Sequence, residues 1–434
     1  MPSLLNKSIG AFIFRAGSAG IAAIVTLQIA VIFPGTEAGR YFSFLGFTYI
    51  LSSLFKMGQS YRYLNDNALR SNKLLDPLCF LKESIFLITA IALVTFLILE
   101  IFTFLSPAFS HLPKYYFPFL CLAAYLLALV FNYAEYWRII GDFLSYVFYS
   151  TFLISIFNLL IFSTIYFVLD NLTVLHAIRG FIIALLLTLL LSLFLLLREK
   201  RHQLSYSKQN STYLVSFPAC IKNGGIFMFY ELSEHLQAWS VPIVLTMISE
   251  FSTIVEYRLA FRMLSLISFV PMIINSTFSI TFGKLISEKN HSALKKAYHA
   301  AILKTGFGIA IAVLGVYIAY TFIKIIFLSS KYENLFQILS VLTIGHVICS
   351  LFEPSTLILN LQQDKRMLPF FLNLFVFLSV SSTGLILMGH TYQSAVFIVF
   401  SAALAIKGTA QFFVLEKKIS KSHRFITGSR DEQV

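Results

Sequence analysis

The chain is 434 residues long, 58% hydrophobic and only 12% charged. A soluble domain carries about 25% charged residues, so two or three water-soluble domains are excluded although the length would hold them. The net charge of +13 sits mainly in short loops between apolar runs rather than in a folded basic patch, which sets nucleic acid aside and points to a polytopic membrane protein.

In chain order the apolar runs predict twelve spans, at 9–33, 41–61, 83–104, 115–137, 143–168, 173–197, 214–247, 251–283, 305–326, 334–361, 367–389 and 393–416. The first run is longer than a signal-peptide core, contains Arg15 and has no small-residue cleavage pattern after it. It is expected to remain as a span. The polar stretch 198–213 follows the sixth span and is the expected linker. The predicted organisation is a six-helix lobe over 1–197, a cytoplasmic linker over 198–213, a second six-helix lobe over 214–416 and a basic tail over 417–434. The lobes open alike: Arg15 and Gly17 in the first span, Lys222 and Gly224 in the seventh, each cation four residues into an apolar run. Two six-helix halves around a central cavity are a recurrent transporter design.

With the N-terminus inside, the inner segments carry 22 Lys and Arg, and the outer loops only Arg40, Lys114 and Lys331. That asymmetry places both termini in the cytoplasm. All outer loops are turns, at 34–40, 106–114, 170–172, 248–250, 327–333 and 390–392. A membrane glycan polymerase or ligase generally needs a large outer loop to hold its acceptor, so no enzyme and no catalytic residues are expected.

The remaining cations lie inside spans. A cation at mid-bilayer costs roughly 2.5–3.5 kcal/mol on insertion scales, so it faces a cavity or a partner. Arg179 and Lys324 lie near span ends and can snorkel. Arg15 shares a helical face with Ser18 and Thr26. Lys56 shares one with Tyr49, Ser52, Gln59, Ser60 and Tyr63. Lys222 aligns with Ser233, Gln237 and Ser240. Arg258, Arg262, Ser265 and Ser276 fall within about 60° of one another. These stripes suit the walls of a hydrated cavity, with Lys407 a further candidate. The competing arrangement is interhelical pairing with Glu135, Glu231, Glu234, Glu256 or Glu353. By depth, Arg15, Lys56 and Lys222 lie toward the inner side and Arg258 and Arg262 in the outer third, a ladder on which an anionic headgroup is passed outward.

Every Asp lies in a loop or at a span edge. Glu231, Glu234 and His235 form an incomplete zinc-hydrolase pattern that lacks its first histidine, so catalysis and a metal are not expected. Glu231 and Glu234 stay as candidates for structural pairing or ion coupling. Pro218, Pro242, Pro271 and Pro354 are expected to interrupt later spans. Cys79, Cys121, Cys220 and Cys349 read as buried apolar residues. No phosphate-binding loop is present, and no cofactor is expected.

The runs Glu37-Ala-Gly-Arg-Tyr41-Phe-Ser-Phe44 and Val255-Glu-Tyr-Arg-Leu-Ala-Phe-Arg-Met263 resemble the starts of helices two and eight in polysaccharide flippases of the multidrug/oligosaccharidyl-lipid/polysaccharide (MOP) exporter superfamily. The likeness continues through Ile274-Asn-Ser-Thr-Phe278, Phe282-Gly-Lys-Leu-Ile-Ser287, the amphipathic segment 292–298, and the stretches 332–341 and 358–365. The chain resembles a Wzx-type flippase of O-antigen or capsule repeats in a bacterial inner membrane. The resemblance implies an all-α, MATE-like bundle of six plus six helices and alternating access. It implies a lipid-linked oligosaccharide as cargo, membrane lipids as surroundings and other surface-polysaccharide assembly proteins as possible partners. In the related lipid II flippases, cations on helices one, two and eight meet the lipid diphosphate. Arg15, Lys56 and Arg258 stand on those helices here, and Arg262 follows one turn later. Alternative readings are a multidrug exporter of the same superfamily, which would use embedded carboxylates, and, less favoured, a glycan polymerase or ligase.

Overall fold

A computed structural model describes residues 2–58, 77–105, 116–139, 142–169, 172–203, 217–248, 250–288, 290–328, 332–361, 367–386 and 394–428. All regular elements among them are helical: α1 (Pro2–Ile32), α2 (Gly35–Lys56), α3 (Pro77–Leu105), α4 (Tyr116–Ile139), α5 (Phe143–Val168), α6 (Val174–Gln203), α7 (Phe217–Met247), α8 (Phe251–Ser287), α9 (His291–Ile323, continued by a wide turn over Lys324–Leu328), α10 (Leu335–Leu351), α11 (Glu353–Leu361), α12 (Met367–Ile386) and α13 (Ser394–Gly428). Each predicted span contains one helix, except the tenth, where α10 and α11 meet at a 41° bend.

Eight helices are long and apolar enough to cross a bilayer, and the bent pair makes nine. Among the described residues α2, α3 and α7 fall short. Within α3 the described apolar stretch is Ser84–Glu100. The other two are polar for a reason of sequence: α2 carries Glu37, Arg40 and Lys56, and α7 carries Lys222, Glu231, Glu234 and His235. α2 and α7 carry the candidate residues Lys56, Lys222, Glu231 and Glu234.

Several boundaries differ from the hydropathy reading. α2 begins at Gly35 and stops at Lys56, where Met57 (φ 48) and Gly58 (φ 64) turn left-handed. Gln59, Ser60 and Tyr63, expected on the Lys56 stripe, lie outside the described residues. α6 runs to Gln203, so the first residues of the expected linker are helical; 204–213 lie outside the described residues. α9 starts at His291 and absorbs the amphipathic segment, capped by Asn290 Oδ1, which accepts the Ala293 N–H at 3.1 Å. α13 continues to Gly428, into the expected tail. Pro218 does not interrupt its span: it is the second residue of α7, where a missing N–H costs nothing. Pro354 is likewise the second residue of α11, just past the bend. Pro242 and Pro271 are the two inside helices.

The chain divides into two compact units, residues 1–235 and 236–434, with the boundary inside α7. In the first unit α4 is central and packs on α2, α3 and α6. Ala123, Ala124, Ala128 and Ala134 on α4 are fully buried, and such small residues let helix backbones approach closely in lipid. Phe55, Ile88, Ala124, Ala128 and Leu129 join α2, α3 and α4. Tyr133, Trp137, Tyr149 and Leu196 join α4 to α5 and α6. A π-type turn over Phe148–Phe152 widens α5, and Phe14 of α1 packs on both ends of it, with ring centroids 5.4 and 4.9 Å away.

In the second unit α10 and α13 are the most closely packed pair. A second cluster, Phe282, Leu294, Tyr298, Ile358 and Leu415, ties α8 and α9 to α11 and α13. Outward, Leu303, Phe307, Ile311, Leu314, Ile318 and Phe322 line one side of α9, each more than half exposed. An unpartnered apolar stripe of that length is a lipid-facing surface.

Two acidic side chains hold helix starts. Glu37 Oε2 of α2 accepts the Val174 N–H at the head of α6 at 3.3 Å. Glu256 Oε1 of α8 accepts the Asn334 N–H at the head of α10 at 3.2 Å. Both place a carboxylate on the positive end of a helix.

Candidate cation clusters of the two units

Lys56 is the last residue of α2 and is 4% exposed. A buried ammonium needs a partner, and α7 supplies it: Lys56 is ion-paired with Glu231 Oε1. Its Nζ also lies 4.8 Å from the Phe131 ring centroid. Glu135 of α4 and Glu234 of α7 add negative potential at Lys56. Glu135 in turn binds Arg138, whose Nη1 reaches both carboxylate oxygens at 3.2 Å. His235 stacks obliquely on Tyr49, with centroids 5.8 Å apart.

Arg15 belongs to the same unit. It is half-buried on α1, with its guanidinium 5.2 Å from the Phe143 ring. Tyr146 and Arg138 influence it electrostatically, and Arg138 itself stands 5.6 Å from the Tyr146 ring. The α1 stripe expected to face water is partly used in packing: Ser18 shares a 2.9 Å hydrogen bond with Ser155 of α5, and Thr26 bonds back to the Ala22 carbonyl. Among the described residues, the first unit thus sets Arg15, Lys56 and Arg138 against Glu135, Glu231 and Glu234. Formal charges balance.

Arg138 is the member that hydropathy missed, because it sits at the end of a span and reads as a loop cation. The available signal was its spacing: Glu135 and Arg138 are three residues apart in a helix, on one face.

The second unit gathers a separate set. Arg258 is 4% exposed and lies 3.9 Å over the Trp239 ring and 5.7 Å from Phe261. That geometry is a desolvated cation–π stack. Arg262, one turn later on α8, is half-buried. Lys407 of α13 donates to Gln237 Oε1 of α7 at 2.8 Å. Both line a cavity of about 420 Å³ whose polar wall also includes Asn275, His346, Cys349 and Glu353 and whose apolar wall includes Phe261 and Phe400. Phe261 borders both the cavity and the Arg258 stack. Lys407 therefore belongs with Gln237 and Glu353, in a pocket of its own unit.

Lys222 lies in α7, but its side chain is outside the described residues. No group of three metal-ligating side chains occurs among the described residues. Glu231 is an ion-pair partner, while Glu234 is exposed on the same helix.

No protein-family model and no curated protein matches the sequence. Solved structures do match over nearly the whole chain. An inward-facing MATE family multidrug resistance transporter of the MOP superfamily aligns with a TM-score of 0.66 at 14% identity, covering 94% of this chain and 96% of that one. The lipid II flippase MurJ in an inward closed conformation aligns with a TM-score of 0.65 at 16% identity, covering 96% of this chain and 90% of that one. The fold is that of the MOP superfamily transporters. A further MOP superfamily transporter, from Pyrococcus furiosus and described by the reverse polarity of its binding pocket, aligns at 0.59 with 14% identity and 96% of both chains covered. The MOP fold thus hosts multidrug exporters and a lipid flippase alike.

Proposed function

We propose that this protein is a flippase that carries undecaprenyl-diphosphate-linked oligosaccharide repeats, of O-antigen or capsule, across the bacterial inner membrane by alternating access. The observation that carries the reading is Arg258, a nearly fully buried guanidinium on α8 held by an aromatic face. A diphosphate in a low-dielectric cavity needs at least two cations. In this reading the first unit offers Arg15 and Lys56, with Lys222 a further candidate, and the second unit offers Arg258 and Arg262, with Lys407 a further candidate. Both termini are cytoplasmic, and the halves act as six-helix lobes over 1–197 and 214–416 joined by 198–213. Membrane lipids surround the protein, and surface-polysaccharide assembly proteins are its natural neighbours.

A second reading has support of its own. The carboxylates Glu135, Glu231 and Glu234 gather around Lys56, and embedded carboxylates suit a multidrug exporter with cationic cargo.

A deletion strain separates the two. Accumulated lipid-linked repeat unit with no surface polymer, rescued by the wild-type protein but not by Arg258→Ala, supports the flippase. Normal surface glycan with raised sensitivity to cationic dyes supports drug export and sinks the anionic-cargo reading.

A further inference from the structure

A cation meant for an anionic headgroup stands, in a membrane, among many phospholipid phosphates. Lys56 does not stand open to them. Its charge is already met by Glu231, reached from a helix 175 residues along the chain. The side-chain exposures order the pair: Lys56 retains 5% and Glu231 13%. Of the two, the carboxylate is the more accessible.

The pair also lacks the features of a permanent brace. A buried ion pair stabilises only when the remaining lone pairs are satisfied, yet Glu231 Oε2 is buried with no hydrogen-bond donor among the described residues. Glu135 of α4 and Glu234 of α7 face the same ammonium. Arg138 holds Glu135 through both of its oxygens, and among the described residues His235, beside Tyr49, is a further titratable group that feels Lys56. Among the described residues Glu231 is the carboxylate ion-paired with Lys56, and it is only half satisfied.

We propose that Glu231 is a specificity-determining residue: an internal counter-ion that yields Lys56 only to a ligand of greater charge than its own carboxylate. This rests on the reading of the cargo as a lipid diphosphate. A phosphodiester such as phosphatidylglycerol carries one negative charge, as Glu231 does, so it gains nothing by exchange. A lipid diphosphate carries more charge and more acceptor oxygens, reaches a second cation while engaging Lys56, and displaces the carboxylate. Specificity of this kind comes from an element that disfavours the wrong ligand.

The test uses the full chain in neutral detergent, with farnesyl diphosphate and a short-chain phosphatidylglycerol as probes in calorimetric titrations. The wild type is expected to bind the diphosphate and discriminate against the phosphodiester. Glu231→Gln keeps shape and removes charge; it should tighten phosphatidylglycerol binding by at least about tenfold, while diphosphate affinity rises less. The double variant Lys56→Met/Glu231→Gln, which leaves no unpaired charge, should lose that gain. Diphosphate binding with an unchanged discrimination ratio in Glu231→Gln overturns the inference and leaves the cargo reading standing. Diphosphate binding absent from both the wild type and Glu231→Gln overturns the cargo reading and the inference with it.

Discussion

The hydroxyl of Ser401 sits between two turns of the neighbouring helix: it donates to the Val341 carbonyl at 2.6 Å and accepts the Gly345 N–H at 2.9 Å. This contact exists because Gly345 has no Cβ. One placed there would strike the Ser401 backbone, 2.7 Å from its Cα. Seven residues after Ser401 on α13, Gly408 faces the Cys349 Cα of α10 in the same way, at 2.8 Å. Small residues on both helices let α10 and α13 touch at their backbones. Gly345→Val should therefore force the pair apart at a cost of about 1–3 kcal/mol or more, read as a lower melting midpoint and less monodisperse protein in detergent. An unchanged midpoint would mean the helices separate freely.

The two glutamate caps predict a local effect rather than a global one. Glu37→Ala removes the acceptor at the head of α6, and Glu256→Ala the one at the head of α10. Each should cost about 0.5–2 kcal/mol. Hydrogen exchange is the sensitive reading: amides near Val174 should speed up in the first variant and those near Asn334 in the second, each leaving the other site unaltered. Uniform acceleration across both sites would contradict the capping role.

Much of this fold is legible in hydropathy, because lipid exposure demands long apolar runs. The limits of α5 and the start of α8 follow directly from theirs. What stays hidden depends on contacts between distant segments. Helical-wheel reasoning places Lys56 on a polar face but cannot choose Glu231 over four other glutamates. The left-handed turn at Met57, where α2 stops, leaves no hydropathy mark. Gly345 and Gly408 read as ordinary membrane glycines until Ser401 and Cys349 are seen opposite them. Arg138 looks like a loop charge until α4 is seen to carry it to Glu135.

The Lys56–Glu231 pair makes a prediction about stability that is separate from binding. Lys56→Met strands a buried carboxylate, and Glu231→Leu strands a buried ammonium. Breaking one side of such a pair costs about 3–5 kcal/mol. Replacing both with apolar residues should restore most of the loss, since the desolvation penalty disappears with the charges. Thermal unfolding of the two single variants and the Lys56→Met/Glu231→Leu double variant closes this cycle. Additive losses would show that the two side chains do not act on each other.

The Arg258 stack provides its own reporter. The sequence holds two tryptophans, Trp137 in the packed core of α4 and Trp239 beneath the guanidinium. A Trp137→Phe variant leaves emission from Trp239 alone. A guanidinium 3.9 Å over the ring fixes the local field on the indole, so an anion that engages Arg258 must change that field. Titrating farnesyl diphosphate should shift or quench Trp239 emission saturably, and the response should disappear in Trp137→Phe/Arg258→Gln. Because the stack itself contributes only about 0.5–2 kcal/mol, the Arg258→Gln protein should remain folded, and a lost signal reports lost binding. The same response with and without Arg258 would remove this guanidinium from the headgroup's path and leave it a packing role beside Trp239 and Phe261.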